Sequence, residues 1–349
     1  LPDFDPLYES IMKKFLLGCG GVFALAGVLA GVAFSRTMAE AGESRLREEK
    51  LVRVPAPMGK NVVINLLAKN DVIANPRAFN IWEMLNPMPN EIKPGVYRFK
   101  PGMTPAQMVA ALQDPVKQSV RIPEGRWVAR VAEVLEEKGV CTAEEYIAAT
   151  KDVGRWQKQY SWIPEGLQSL EGFLFPDTYN FPPGIGADFV IDTQLATFKR
   201  RMGDDMPEGE KLKKMVITAS LIELEAKADA ERPMVAGVIE NRLKKPMRLQ
   251  IDATVLYALQ KWQVLGPGVV NTVQSPFNTY TNDGLPPGAI GAPSIASLKA
   301  AMNPVKHNYY FYVTKEDGTG THFFATTYGE HLNNIRKSRA TARAKARAK

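Results

Sequence analysis

Ile217-Thr218-Ala219-Ser220-Leu221-Ile222-Glu223-Leu224-Glu225 is the stretch on which the reading of this chain turns. Ile217, Leu221 and Glu225 recur every four residues and so share one side of a helix. The two apolar members would face a core, which brings the third, a carboxylate, to the edge of that core. Glu223 follows Ala219 on another side, where it would either support Glu225 from behind or face solvent. A carboxylate ending an apolar stripe is poorly solvated, so its pKa rises and it stays protonated, as a general acid must. The bland alternative is a carboxylate paired with Arg232 or Arg242.

Polar residues crowd together downstream: Glu231-Arg232, Asn241-Arg242-Leu243, Met247-Arg248-Leu249-Gln250-Ile251-Asp252 and Asn278-Thr279-Tyr280. The long loop Ser275–Pro293 carries Gly284-Leu285-Pro286-Pro287-Gly288-Ala289-Ile290, stiff at its prolines and open to close approach at its glycines. Amides, hydroxyls and aromatic rings together suit a neutral, polyhydroxylated ligand such as a glycan. Apolar spacing predicts helices over Leu212–Ala228 and about Arg232–Leu243, and another from near Ser294. Asn308–Thr314 and Thr321–Thr326 alternate around Glu316-Asp317-Gly318 as a β-hairpin. His307, His322 and His331 lack metal-ligand spacing, so no metal is expected, nor any other cofactor. His322 is either a cleft residue or a structural one.

Upstream, residues 116–205 read as a mainly helical connecting region. Trp127, Val128, Val131, Val134 and Leu135 recur at helical spacing, Gly139 stands where a helix ends, and Thr142–Glu145 is a capping box. Phe173-Leu174-Phe175-Pro176-Asp177-Thr178-Tyr179 reads as an ordered loop. Residues 51–115 form a small α+β module. It has short helices at Val62–Leu67 and Pro76–Leu85, a strand at Gly95–Phe99, and a capping box at Thr104–Gln107 opening Met108–Leu112.

Phe15 to Ser35 holds no charged residue and is long enough to cross a hydrocarbon core of roughly 30 Å. The segment 15–35 is therefore expected to be a single transmembrane helix, after a short tail (1–14) and before a polar stalk (36–50). A cleavable signal peptide is disfavoured because the apolar core is long and no clear small-x-small site follows it. Leu16-Leu17-Gly18-Cys19 resembles a lipoprotein box, but the apolar stretch follows Cys19 instead of preceding it. Lys13 and Lys14 on one side, against Arg36, Arg45, Arg47 and Lys50 on the other, leave the orientation open. The other cysteine, Cys141, has no second cysteine beside it in the soluble region with which to form a disulfide. The net charge of +7 comes from residues 336–349, where seven Lys or Arg stand without an acid. That run has no apolar face and is expected to be a solvated, disordered tail. Nothing has the basic and aromatic interleaving of a nucleic-acid surface.

These motifs, in this order, resemble the endolytic transglycosylases of bacterial peptidoglycan, the MltG (YceG-like) family. The resemblance rests on Glu223/Glu225, Glu231-Arg232, Val235-Ala236, Asn241-Arg242-Leu243, Met247/Leu249/Gln250, Asp252, Asn278-Thr279-Tyr280 and Gly284–Gly288, with Pro94–Phe99 and Phe175–Tyr179 upstream. Ala226 stands where the family often has Thr, Asp252-Ala253-Thr254 replaces an Asp-Pro-Thr, and Ile251 replaces a common Thr. The resemblance implies an α+β protein: a transmembrane helix, a LysM-like module (51–115) and a mainly helical, lysozyme-like catalytic domain (206–335) with a β-hairpin. It implies Glu225 as the catalytic acid and places the catalytic domain outside the cytoplasmic membrane, the N-terminus inside.

On that reading the substrate is a peptidoglycan glycan strand, and the bilayer and membrane-bound cell-wall synthesis enzymes are the other partners. Gln250, Asn278 and Tyr280 would bind the sugar or orient Glu225. Asp252 would do the same or cap a helix, and Glu223 is a further candidate for binding. Two rivals remain open: a muramidase using Asp252 as second carboxylate, and a non-catalytic glycan-binding scaffold.

Overall fold

Apolar periodicity and capping residues build a mixed helix and strand protein, about half of it helical. The computed structural model describes residues 28–266 and 268–347. Most of the apolar segment 15–35 lies outside them. Among the described residues no helix is long and apolar enough to cross a membrane. The chain divides into two compact units, one ending at Lys117 and the other beginning at Gln118.

The described part of the first unit opens with a helix over residues 28–41 (α1). It continues through β1 (Lys50–Val54), β2 (Met58–Gly59), α2 (Lys60–Lys69), α3 (Pro76–Leu85), β3 (Glu91–Ile92), β4 (Gly95–Phe99) and α4 (Pro105–Ala111). β1 and β4 pair antiparallel with Val52 opposite Tyr97, and β2 pairs with β3. Alternation puts Val52, Val54, Tyr97 and Phe99 on one face of the pair. They pack there with Val63, Ile64, Leu67 and Phe79 from the two helices. α3 starts where Asn75 accepts the Ala78 N–H with Pro76 in its first turn, and α4 starts with the expected Thr104/Gln107 capping box.

The second unit runs β5 (Ser119–Arg121), α5 (Val128–Glu137), α6 (Ala143–Lys151), α7 (Val153–Gln159), β6 (Thr178–Asn180) and α8 (Ala187–Met202). Then come α9 (Gly209–Glu225), a 3₁₀ turn (Asp229–Glu231), α10 (Arg232–Lys244), α11 (Asp252–Leu259), α12 (Val269–Thr272) and α13 (Ile295–Met302). The hairpin β7 (Phe311–Thr314) and β8 (His322–Ala325) precedes α14 (Tyr328–Arg347). The segment 173–179 is ordered by rings: Trp162 stacks on Phe198 at 5.4 Å, and Phe173 meets Phe198 at 5.8 Å.

α9 is the central helix, with Leu212, Val216, Ala219, Leu221 and Ile222 fully buried. α10 and α13 pack against it. Ser220 on α9 accepts the N–H of Ile290 at 3.1 Å, tying the Gly- and Pro-rich loop to the helix. Gly172 makes this packing possible: at φ +86° a Cβ there would lie 2.5 Å from Ala289 and 2.7 Å from Val216.

Two sequence expectations need correction. α9 stops at Glu225 rather than running to Ala228, because Ala226 is extended and the chain turns at Asp229–Glu231 into the proline-containing first turn of α10. The basic run from Arg336 is not disordered but continues α14 to Arg347. Packing of α14 against both hairpin strands supplies what the run's own composition lacks.

Candidate active site

Because α9 ends at Glu225, the carboxylate leaves the core where the helix does. It enters a cleft of 380 Å³ lined by Arg242, Gln250, Asp252, Tyr280, Phe311, Tyr312 and residues of α14. Glu225 is partly buried. Burial pushes its carboxyl up to about 7. A hydrogen bond from Tyr312 and the charge of Arg242 pull the other way, and the charge of Asp252 adds to the rise. The Tyr312 hydroxyl donates to Oε2 of Glu225 at 2.9 Å. Of the described residues, none forms a salt bridge with Glu225 within 4.0 Å.

Arg242, 8% exposed, is occupied elsewhere. Its guanidinium donates to the carbonyls of Tyr310 at 2.6 Å and Leu249 at 2.5 Å and lies over the Phe311 ring. It thus clamps the entry to β7 and the segment before Gln250 onto α10. The neighbouring Asn241 gives its amide to the carbonyls of His307 and Tyr309. These side chains shape the cleft by holding backbone.

Asp252 and Tyr280 are brought together: the phenol donates to the carboxylate at 2.5 Å, and both line the cleft with Gln250. Gln250 is exposed, in the left-handed region at φ +53°, and its N–H donates to the carbonyl of Thr279. Thr279, which sequence reasoning passed over, is the fastener. Its hydroxyl accepts the N–H of Ile251 and lies 3.0 Å from that of Thr254.

Two sequence candidates are not in the cleft. Asn278 is fully buried, and its amide donates to the carbonyls of Val270 and Val273 while its oxygen accepts the Tyr280 N–H. It folds the loop that presents Tyr280 and has no amide group left for a sugar. Glu223, the other half of the pair, accepts two bonds from Arg232 at 2.9 and 3.2 Å. It also accepts the N–H and hydroxyl of Ser294, the N-cap of α13. The arginine pairing open to Glu225 from sequence is thus taken up by Glu223. Periodicity separates the two glutamates onto different sides of α9; it does not reveal what each side meets.

Tyr312 and His331 were missed. Tyr312 sits on β7, opposite Phe324, and only folding of the hairpin carries it to Glu225. Behind it His322 meets the Tyr312 ring edge-on at 5.4 Å. The His322 imidazole is fixed by Glu231 at 2.8 Å, so it supports the cleft wall and is not among the residues lining it. His331 on α14 lines the cleft and stacks on Phe311, with its pKa lowered by burial and then by Arg242. A second carboxyl, Glu171, is pushed up to about 8 by burial and accepts the Val128 N–H at the start of α5. It faces a separate pocket of 200 Å³ with Tyr257 and Phe277.

A carboxyl that exchanges its proton near neutrality, in a cleft walled by phenols and rings, can protonate a leaving oxygen and later take up a proton. Comparison with known proteins agrees with this chemistry. The profile of the YceG-like family matches residues 52–337. The endolytic murein transglycosylase of Bacillus subtilis is 28% identical over 324 residues, spanning 85% of this chain and 87% of that protein. The endolytic murein transglycosylase of Streptococcus pneumoniae is 26% identical over 328 residues, 82% of this chain but 58% of the longer relative. A crystal structure of a yceG-like protein from Listeria monocytogenes aligns with a TM-score of 0.54 at 29% identity, covering 82% of this chain and 99% of that one.

Proposed function

Because the chain belongs to the YceG-like family, we propose that it is an endolytic lytic transglycosylase of peptidoglycan, with Glu225 as its acid and then its base. The observation that carries the assignment is the Glu225 carboxyl, pushed up to about 7 by burial at a helix end and opening into the cleft with the Tyr312 phenol as its hydrogen-bond donor.

Protonated Glu225 gives its proton to the glycosidic oxygen between N-acetylmuramic acid and N-acetylglucosamine, and the C1–O bond breaks. The resulting carboxylate takes the proton of the muramoyl 6-hydroxyl, whose oxygen closes on C1 to give a 1,6-anhydro end. Water is not consumed, because the hydroxyl is held within the same sugar and outcompetes it. The Tyr312 phenol stabilises the carboxylate while it is charged. Tyr280, Asp252 and Gln250 hold the sugar from the opposite loop, and Phe311 and Tyr328 supply apolar wall.

In the first unit, the pairing of β1 with β4, with α2 and α3 between them in the chain, supports a LysM-like module there. The uncharged run 15–35 supports an anchor in the cytoplasmic membrane, with the tail 1–14 inside and the catalytic unit on the wall side. Placed there, beside the membrane enzymes that synthesise strands, cleavage would end or release growing glycans. Mass spectrometry of digested peptidoglycan tests the chemistry: anhydro ends are expected from the wild type and none from Glu225→Gln. Reducing ends instead would make the enzyme a hydrolase with Asp252 as its second carboxylate. Strands bound but never cut would make it a scaffold. Loss of complementation when the soluble region is freed from residues 1–35 tests the anchor.

A further inference from the structure

α14 is both a wall of the cleft and the carrier of the chain's charge excess. Tyr328, His331 and Ile335 on its inner side line the cavity. Counting in steps of four from His331 gives Ile335, Arg339, Arg343 and Arg347, one continuous row on the helix surface. The three arginines are exposed, and Arg336 stands beside the row. Lys337 and Lys345 of the same run go elsewhere. Lys337 lies over the Phe323 ring, and Lys345 reaches the hairpin turn at Gly318. Among the described residues, no ion pair neutralises Arg336, Arg339, Arg343 or Arg347. From Ile335 to Arg347 the row climbs about 18 Å along the helix, winding by about 120° from the cleft side toward solvent.

We infer that this arginine row is a substrate-binding track for the carboxylates of the peptide stems that peptidoglycan strands carry, a reading that rests on the function proposed above. The sugars of the strand are bound in the cleft, but they offer a row of guanidinium groups nothing to pair with. The stems, attached through the muramoyl lactyl group, leave a cleft-bound strand at its side and end in carboxylates. Arginine is the residue suited to them, since its planar fork can take both carboxylate oxygens. A lipid surface is the weaker match: beyond Ile335 the helix has only Ala, Ser and Thr between its charges, with no apolar face to enter a bilayer.

The test compares the full chain with its R339Q/R343Q/R347Q variant on two substrates: strands bearing stems, and the same strands stripped by an amidase. Binding and cleavage are both measured, at low and raised salt. The expected result on stem-bearing strands is binding weaker by about tenfold and a KM higher by about tenfold, with kcat unchanged. That loss should shrink with salt, and the two proteins should be equal on stripped strands. An R339K/R343K/R347K variant should recover only part of the difference. Equal loss on both substrates, or no loss on either, overturns the track. So does a loss confined to sedimentation with phosphatidylglycerol vesicles, which would make the row a membrane contact. Stem-dependent binding without cleavage would sustain the track and defeat the catalytic reading instead.

Discussion

Replacing Glu225 by Gln removes the one group whose protonation the mechanism uses, and the structure says what else must change. Burial raises the carboxyl from the ordinary 4.5 to about 7, so the folded protein holds this proton more tightly than the unfolded chain does. The associated stability is fully present below pH 4.5 and is lost as pH rises through 7, where folding must bury a charge. The shift corresponds to about 3–4 kcal/mol at most, since about 1.4 kcal/mol accompanies each pH unit. For a unit of this size that is on the order of 6–16 °C in Tm. Gln at 225 keeps the shape without the charge, so the variant should lose this pH dependence. Thermal unfolding of both proteins from pH 4 to 8 should show the variant gaining on the wild type as pH rises, and levelling above 7. Cleavage should fall by about 10²-fold or more in the variant. In the wild type kcat/KM should decline on the alkaline side of pH 7. A stability difference flat across that range would refute the reasoning, because Glu225 would then not be desolvated.

Tyr312→Phe removes the donor that lowers the Glu225 pKa, so the alkaline limb of the pH profile should move up by about one pH unit with the fold intact. Glu223→Gln should cost about 1–3 kcal/mol in denaturant unfolding, because buried Arg232 loses its buried partner and keeps only the exposed Asp229 as counter-charge. The pH midpoint set by Glu225 should stay in place. Asn278→Ala should cost about 1–3 kcal/mol by stranding the carbonyls of Val270 and Val273, and should raise KM as the loop carrying Tyr280 loosens. Gly172→Ala should lower Tm without touching the cleft, since its methyl would meet Ala289 and Val216.

The sequence by itself determined where the Glu225 carboxylate would lie. Ile217 and Leu221 are apolar one and two turns before Glu225, and helix geometry alone carries that carboxylate to the margin of whatever core they enter. It also determined the local starts of helices, since a capping box is a contact between residues three apart, as at Thr104/Gln107 and Thr142/Glu145. Only tertiary structure decided the partners. Which glutamate met an arginine depended on α13 delivering Ser294 and α10 delivering Arg232 to the Glu223 side. Asn278 looked like a sugar ligand because a buried amide and an exposed one are the same letter; its carbonyl partners lie on the loop's own fold. Tyr312 lies 87 residues from Glu225 and shares no period with it, so the bond between them exists only once β7 is folded. The basic run ending at Arg347 is the same case in reverse. Its composition argues for disorder, and packing on the hairpin makes it a helix whose row of arginines starts from the cleft-lining Ile335.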